Sequence, residues 1–234
     1  MESHEIQKMY ELEEFHYWFK AKREMIIDLF KKYCKPGLVL DVGCGTGAIS
    51  KALKKFTKVI SCDFSDDSVK YSRIRNPDIE VVRGDAQALG FKSNRFDALV
   101  SSDLVEHVKD DNKAIKEFNR VLKKNGRLIL TVPAFQFLWS KDDVSLGHHR
   151  RYTRNQIKNL LERNNFKIEF LNYWNFSLFP AYLAYKFVNK SSSATKVPEI
   201  LNKLLHLGFR FDSKLIQLIK VPWGTSVVAV ATKK

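Results

Sequence analysis

The stretch Leu38-Val39-Leu40-Asp41-Val42-Gly43-Cys44-Gly45-Thr46-Gly47 decides the fold. An apolar run carrying one acid, Asp41, leads into three glycines at every second position, and an amphipathic run begins at Ala48. This pattern predicts a buried parallel strand, a tight turn and the start of a helix. Glycine at such a turn lets the backbone bend sharply and lets a ligand approach with no Cβ in the way. The free N–H groups of the helix start favour an anionic or hydrogen-bond-accepting part of that ligand. A dinucleotide fingerprint would read Gly-x-Gly-x-x-Gly. Here Ala48 fills the last position of that frame, a replacement some variants tolerate, so the loop alone leaves a dehydrogenase open.

Outward from this turn, strands and helices alternate. A second strand over 59–62 ends in Asp63, which lies 16 residues after Gly47. That is near the spacing of the acid that accepts hydrogen bonds from a ribose 2′-hydroxyl, and Phe64 beside it could lie against an adenine ring. The competing role for Asp63 is to cap the helix that starts near Asp66. A third strand over 79–82 leads to Arg83-Gly84-Asp85-Ala86, and a fourth over 96–100 leads to Ser101-Ser102-Asp103-Leu104-Val105-Glu106-His107-Val108. A helix over 112–123, a turn at Asn125-Gly126 and a fifth strand over 127–132 follow. Unbroken alternation of this kind demands a mostly parallel sheet with helices on both faces. Ligand then sits outside the carboxyl ends of the strands, where Asp41, Asp63, Asp85 and residues 101–103 all fall.

The flanks are less regular. Residues 6–32 have the pattern of one N-terminal helix, with Phe15, His16, Tyr17, Trp18 and Phe19 crowded in its middle. After strand five comes Gly147-His148-His149-Arg150-Arg151-Tyr152-Thr153, a set of side chains suited to anion recognition. Adjacent histidines rarely chelate one ion unaided and no acid stands at helical spacing from them, so no metal is expected. A sixth strand over 167–172, a polar run over 189–196 read as exposed, a helix over 200–219 with a wide apolar face and a last strand over 226–231 complete the chain.

These motifs resemble the class I S-adenosylmethionine (SAM) dependent methyltransferases, in their small-molecule, type 11/12-like branch. The carriers are Asp41 to Gly47, Asp63, and the segment Leu104-Val105-Glu106-His107-Val108, which is similar to a signature that follows strand four in that family. The last of these argues most strongly against a dehydrogenase. The resemblance implies a Rossmann-like α/β fold, a seven-stranded mostly parallel sheet in the order 3-2-1-4-5-7-6 closed by an antiparallel hairpin. The insert over 176–222 is a departure from the minimal pattern, read as a helical lid, a dimer surface or a patch resting on a membrane. The whole chain, 1–234, is then one domain with an N-terminal helical cap over 1–33.

The resemblance also implies roles for residues. Asp41, Gly43, Cys44, Gly45 and Gly47 would cradle SAM, Asp63 would hold the ribose and Phe64 the adenine, with Asp85 and Ala86 at the adenine amino group and Ser102 beneath the cofactor. Trp18 and Arg23 would close over SAM, Arg23 pairing with the methionine carboxylate. A subset of the family carries a "His, x, Arg, Tyr" sequence like 149–152 in a loop facing the transferred methyl. His148, His149 and Tyr152 are therefore the candidate catalytic residues, and Arg150, Arg151, Tyr152 and Trp139 the candidate substrate contacts. The alternative for this loop is that Arg151 and Tyr152 only tie it down. His107, at a helix start, is read as a packing and hydrogen-bonding residue rather than a base.

Composition bounds the function. The net charge is +14, with 16 Lys and Arg against 6 Asp and Glu over 141–234 and 4 against 7 over the first thirty residues. A basic C-terminal part attracts anionic partners, although scattered lysines on solvated helices give the same count. Three cysteines without CxxC spacing fit a reducing compartment and a cytoplasmic protein. There is no signal-peptide pattern, and the longest apolar stretch, over 176–188, contains Lys186 and is too short to span a bilayer. The expected function is methyl transfer from SAM to O or N of a small or lipid-like acceptor with an anionic group, by a monomer or homodimer. The alternative is a nucleic-acid or partner-binding protein on the same fold, with RNA methylation or no catalysis. No zinc knuckle or RNA-binding sheet motif supports nucleic acid as the partner.

Overall fold

A computed structural model describes residues 3–180, 182–183 and 197–234. Seven strands form one sheet in the order β3-β2-β1-β4-β5-β7-β6. They are β1 (Leu38–Val42), β2 (Lys58–Asp63), β3 (Glu80–Arg83), β4 (Phe96–Ser102), β5 (Leu122–Pro133), β6 (Phe166–Trp174) and β7 (Ser226–Lys233). The first five run parallel, and β7 is antiparallel to both β5 and β6. This is the Rossmann-like order that the resemblance implies, and the parallel run of β1 to β5 is what the alternation of apolar runs predicts. Central strands are buried almost throughout, as a sheet covered on both faces requires.

The helices are α1 (Ser3–Leu12), α2 (Tyr17–Tyr33), α3 (Ala48–Leu53), α4 (Asp66–Arg75), α5 (Asp111–Val121), α6 (Lys141–Ser145), α7 (Arg154–Glu162) and α8 (Glu199–Leu215). Both α2 and α5 lie against β5 but pack with different partners, α2 with α3 and α8 and α5 with α7, which puts them on opposite faces. The core runs along this sheet, with Phe30, Phe96, Phe118, Phe166 and Trp174 fully buried.

Three local departures have physical causes. The expected single N-terminal helix is two helices, broken at 13–16: His16 adopts an extended conformation and its side chain accepts the Trp18 N–H, capping α2. Strand β5 begins at Leu122 rather than 127 because it continues through a bulge, where Asn125 takes a positive φ of 63° and the pairing with β4 shifts register. The apolar face expected on the helix over 200–219 packs only in part. Leu201, Leu204 and Ile219 are exposed, whereas Phe209, Asp212, Ser213 and Ile216 are buried. Helix α8 docks on α2 largely through polar groups: His206 and Arg210 pair with Glu24, Arg210 also with Asp28, and Asn202 accepts the Tyr17 N–H. The polar run over 189–196 lies outside the described residues.

Asn172 latches the end of this helical segment to the sheet. Its Nδ2 donates to the carbonyls of Ile216 and Ile219, and its Oδ1 accepts from the N–H groups of Tyr173 and Val221, all at 2.7–3.0 Å. Asn172→Ala strands those buried groups without partners, at a cost of about 3 kcal/mol. The expected outcome is a melting temperature lowered by roughly 6–12 °C for a chain of this size, read by calorimetry or circular dichroism.

Candidate active site

The glycine turn stands at the carboxyl tip of β1. Gly43, Gly45 and Gly47 have φ of 71°, 54° and 84°. A Cβ on Gly47 would meet Ser72 Oγ and Asn76 Nδ2 at 2.5 Å, while at Gly45 the nearest atom is the Met9 methyl at 3.1 Å. The backbone of Gly45 is thus bare apart from one flexible side-chain end.

Asp63, at the tip of β2, closes the turn from the side. Its Oδ2 accepts the Gly45 N–H and its Oδ1 the Ser65 N–H, both at 2.9 Å. It does not cap α4; Ser65 does, accepting from the Ser68 N–H. Burial raises the Asp63 pKa while the backbone donors of Ser65 and Gly45 act to lower it. A carboxylate has about four lone-pair sites, so these two donors leave it with acceptor capacity. Phe64 beside it is exposed, with the Arg83 guanidinium 5.6 Å from its ring. Asp85 Oδ1 accepts from the Gln87 N–H at 2.8 Å, next to buried Ala86.

Asp41 is placed differently from its expected role. It is buried under the turn, accepting a hydrogen bond from Ser50, whose hydroxyl also meets Ser61. Burial pushes its pKa up to about 7 against the opposing pull of Ser50, with further increase from Asp63. Asp41 therefore supports the turn from below, through Ser50. Cys44 is likewise buried.

The N-terminal helices cover the turn. Partly buried Glu13 accepts from Thr46 and Arg75, and Lys51 pairs with Glu14 at 2.8 Å. Arg23 Nη1 donates to the Glu13 carbonyl at 2.7 Å, so in this state it holds the joint between α1 and α2. Trp18 is partly buried, with the Lys22 ammonium 3.6 Å from its ring centroid. Lys22 is buried and paired with Asp103, whose Oδ1 accepts from Thr131 Oγ1; Thr131 in turn meets Ser102 Oγ at 3.0 Å. Glu13 and Lys22 were not visible as site residues in the sequence, since each looks like an ordinary charged position on a helix.

In the loop after β5 the structure corrects two assignments. Arg151 donates from Nε and Nη2 to both oxygens of buried Asp143, at 2.7 and 2.9 Å, which occupies the fork proposed for substrate. Tyr152 is buried and its hydroxyl donates to Asp111 at 3.0 Å; burial and the Asp111 charge push its pKa above the usual phenol range, so it is no base. Arg150 is tied to the Lys109 carbonyl and to Asp111. His149 is exposed, and its N–H bonds the Glu106 carbonyl at 2.8 Å. His148 Nδ1 lies 2.8 Å from Asp143 Oδ1. Burial alone would raise the Asp143 pKa, but His148 and Arg151 hold it well below the usual carboxylate range. Trp139 is half-buried. The loop is braced by these ties, and His148 and His149 remain its least committed polar side chains.

A doubly wound sheet with a bare glycine turn, a carboxylate at the next strand tip and an exposed aromatic ring beside it defines a nucleotide-binding α/β protein. The family model described as "Methyltransferase domain" matches residues 40–130, from β1 to β5. A demethylmenaquinone methyltransferase of Paenarthrobacter aurescens is 40% identical over 93 residues, 39% of this chain and 37% of that protein. A Mycolicibacterium smegmatis protein named "Probable S-adenosylmethionine-dependent methyltransferase" is 26% identical over 161 residues, 68% of this chain and 62% of its own. The chain therefore spans less than two thirds of the length of these relatives. The solved structure of Haemonchus contortus phosphoethanolamine N-methyltransferase 2, in complex with S-adenosyl-L-methionine, shares the fold at a TM-score of 0.62 and 21% identity, covering 91% of this chain and 52% of that one. Residues 40–130 of the chain are therefore similar to the methyltransferase domain, and among these similar proteins the cofactor named is S-adenosylmethionine (SAM). The bare backbone at Gly45 and the remaining acceptor sites of Asp63 fit that cofactor.

The raised pKa of Asp41 has a measurable consequence. In the unfolded chain Asp41 loses its proton near pH 4, whereas in the fold it keeps it to about 7. The folded state thus binds more protons in that window, and stability contributed at this site falls as pH rises from 4 to 7. Asp41→Asn is expected to gain on wild type progressively across that range and to level off above it. Melting curves of both proteins at matched pH check this.

Proposed function

We propose that this protein transfers a methyl group from SAM to a small, lipid-like acceptor. The observation that carries the reading is the glycine turn locked to Asp63, which presents unobstructed backbone at the tips of β1 and β2. SAM, when bound, supplies a methyl group on a positively charged sulfur. The chain's own part is positioning. Gly45 and its neighbours admit the cofactor against backbone, Asp63 accepts hydrogen bonds from the ribose hydroxyls, and Phe64, Asp85 and Ala86 flank the base. Trp18 and the helices α1 and α2 cover the site and exclude water. Aligning a nucleophile with the methyl carbon accounts for much of the acceleration in such a displacement.

The lipid-like acceptor is supported by the name of the demethylmenaquinone methyltransferase relative and by apolar side chains around the last helix. Ile200, Leu204, Leu207 and Phe211 are exposed along α8. They suit contact with an apolar substrate or with the membrane surface that holds one. No helix of the described residues is long and apolar enough to cross a membrane. We place the protein in the cytoplasm, in keeping with free Cys34, Cys44 and Cys62. The residues over 1–33 act as a cap and those over 176–222 as the substrate-side insert of one domain. His148 and His149 line the acceptor side, with Arg150 the arginine best placed to meet an anionic group.

Calorimetry with SAM tests the cofactor side. Asp63→Ala should weaken binding by about 1–3 kcal/mol, the cost of unpairing a buried polar partner. Gly45→Val should abolish it, because a branched side chain at φ +54° strains the turn and fills the approach. Transfer of labelled methyl from SAM to a panel of quinols, phenolic lipids and anionic metabolites tests the acceptor side. Label appearing only in RNA, with binding that weakens steeply with salt, would replace this reading with the nucleic-acid one.

A further inference from the structure

Beside the cofactor cradle, at the tip of β4, lies a second constellation of which the methyl-transfer reading uses only His148. Glu106 and His107 sit on the short 3-10 turn Val105–His107, and His148 comes from the loop after α6. One ligand atom from each of the three lies within 4.8 Å of the other two. Glu106 is fully buried, and neither of its carboxylate oxygens has a hydrogen-bond partner. A buried carboxylate left unpaired is costly, and the usual resolutions are a cation or a proton.

His148 carries the outer contact that a metal-binding imidazole needs. His148 Nδ1 faces Asp143 Oδ1 at 2.8 Å, so the proton sits on Nδ1 and the Nε2 lone pair is free. Asp143 is itself fixed by the two-armed bond from Arg151 and by the Ser140 N–H. The His107 ring is partly buried against His148 and the 145–148 turn. The two rings stand edge to face with centroids 4.5 Å apart. The His149 N–H on the Glu106 carbonyl staples the two loops together. Thus the bracing role of Asp143 and Arg151 acquires a second purpose: it aims His148.

We propose that Glu106, His107 and His148 form a binding site for one divalent first-row transition-metal ion, of the zinc class. Two imidazole nitrogens and one carboxylate oxygen suit zinc or cobalt; magnesium and calcium favour oxygen donors throughout. Ligand atoms on a tetrahedral zinc ion stand about 3.3 Å apart, given bonds of about 2.0–2.1 Å. The present atoms lie within 4.8 Å of one another, so closing on an ion shortens these separations by up to about 1.5 Å. Three protein ligands leave a position open, the arrangement of reactive rather than purely structural zinc sites. Its exchangeable ligand would be water or the hydroxyl oxygen of an acceptor, and a hydroxyl so bound gives up its proton to solvent near neutral pH. That consequence for the acceptor rests on the methyl-transfer reading, and the metal site itself does not. It would supply the deprotonation that Tyr152 is unable to perform. The sequence argued against metal because it offered only His148 and His149 side by side; the fold replaces His149 with His107 and adds an acid from 42 residues upstream of His148.

The test uses protein stripped with a chelator and titrated with cobalt(II), followed by visible absorption and without any acceptor present. The expected result is one cobalt per chain, with the intense bands of a four- or five-coordinate nitrogen and oxygen site, discharged by zinc and not by magnesium. His107→Ala and His148→Ala should each weaken binding by more than the roughly 10–100-fold that loss of an outer partner costs. Glu106→Gln should weaken it too while preserving the side-chain shape. His107→Asn and His148→Asn serve if an alanine variant fails to fold, judged by its melting curve. A spectrum that stays that of the hydrated ion overturns the proposal, as does stoichiometric binding that survives removal of both histidines. Because the readout needs neither SAM nor turnover, failure here leaves the cofactor reading standing, and failure to bind SAM leaves this one standing.

Discussion

Asp63 accepts the N–H of Gly45 from one strand tip and the N–H of Ser65 from its own, so one carboxylate fixes the glycine turn to the end of β2. The bond from Gly45 reaches across 18 residues of sequence and would be lost if β1 and β2 slipped by one place. Register in the sheet and geometry in the cradle are therefore one constraint. Burial works against the charge on Asp63, and the two backbone donors compensate for it. The same low-dielectric setting that makes an unpaired carboxylate costly makes these bonds strong.

Around that point the fold repeats one device, a buried or partly buried charge held by an oppositely charged side chain from outside its own helix. Glu13 reaches Arg75 and Thr46, bringing the N-terminal helices over the turn. Lys22 reaches Asp103, joining α2 to the tip of β4. Asp143 reaches Arg151 and His148, shaping the loop after β5. Breaking such a pair strands the remaining charge and costs far more than a surface ion pair. The cap, the β4 tip and the acceptor-side loop are thus each anchored by a pair that also limits how far they can move.

Much of this was legible in the chain. The apolar runs and the glycine turn were enough for a mostly parallel sheet and for the carboxyl-edge position of Asp63 and Asp85, because parallel αβ topology leaves few alternatives; the strand order came from the family resemblance. What stayed hidden depended on partners remote in sequence. Arg151 and Tyr152 looked like substrate groups until Asp143 and Asp111 were seen to hold them. Asp41 looked like a ligand contact until Ser50 placed it under the turn. Glu106 read only as part of a family signature and His107 as a packing and hydrogen-bonding residue, because nothing in the chain shows that His148 comes beside them from another loop. The break at 13–16 was missed because residues 6–32 keep helical periodicity across it, and only the cap made by His16 marks the boundary.

The central claim is that the tips of β1, β2 and β3, joined through Asp63, are where SAM is held. Hydrogen–deuterium exchange with and without SAM addresses it residue by residue. The account predicts slowed exchange at 43–47, 63–65 and 84–87 and in the covering helices α1 and α2, with little change along β6. Unchanged exchange at those strand tips, or protection confined to the far edge at β6 and β7, would contradict it.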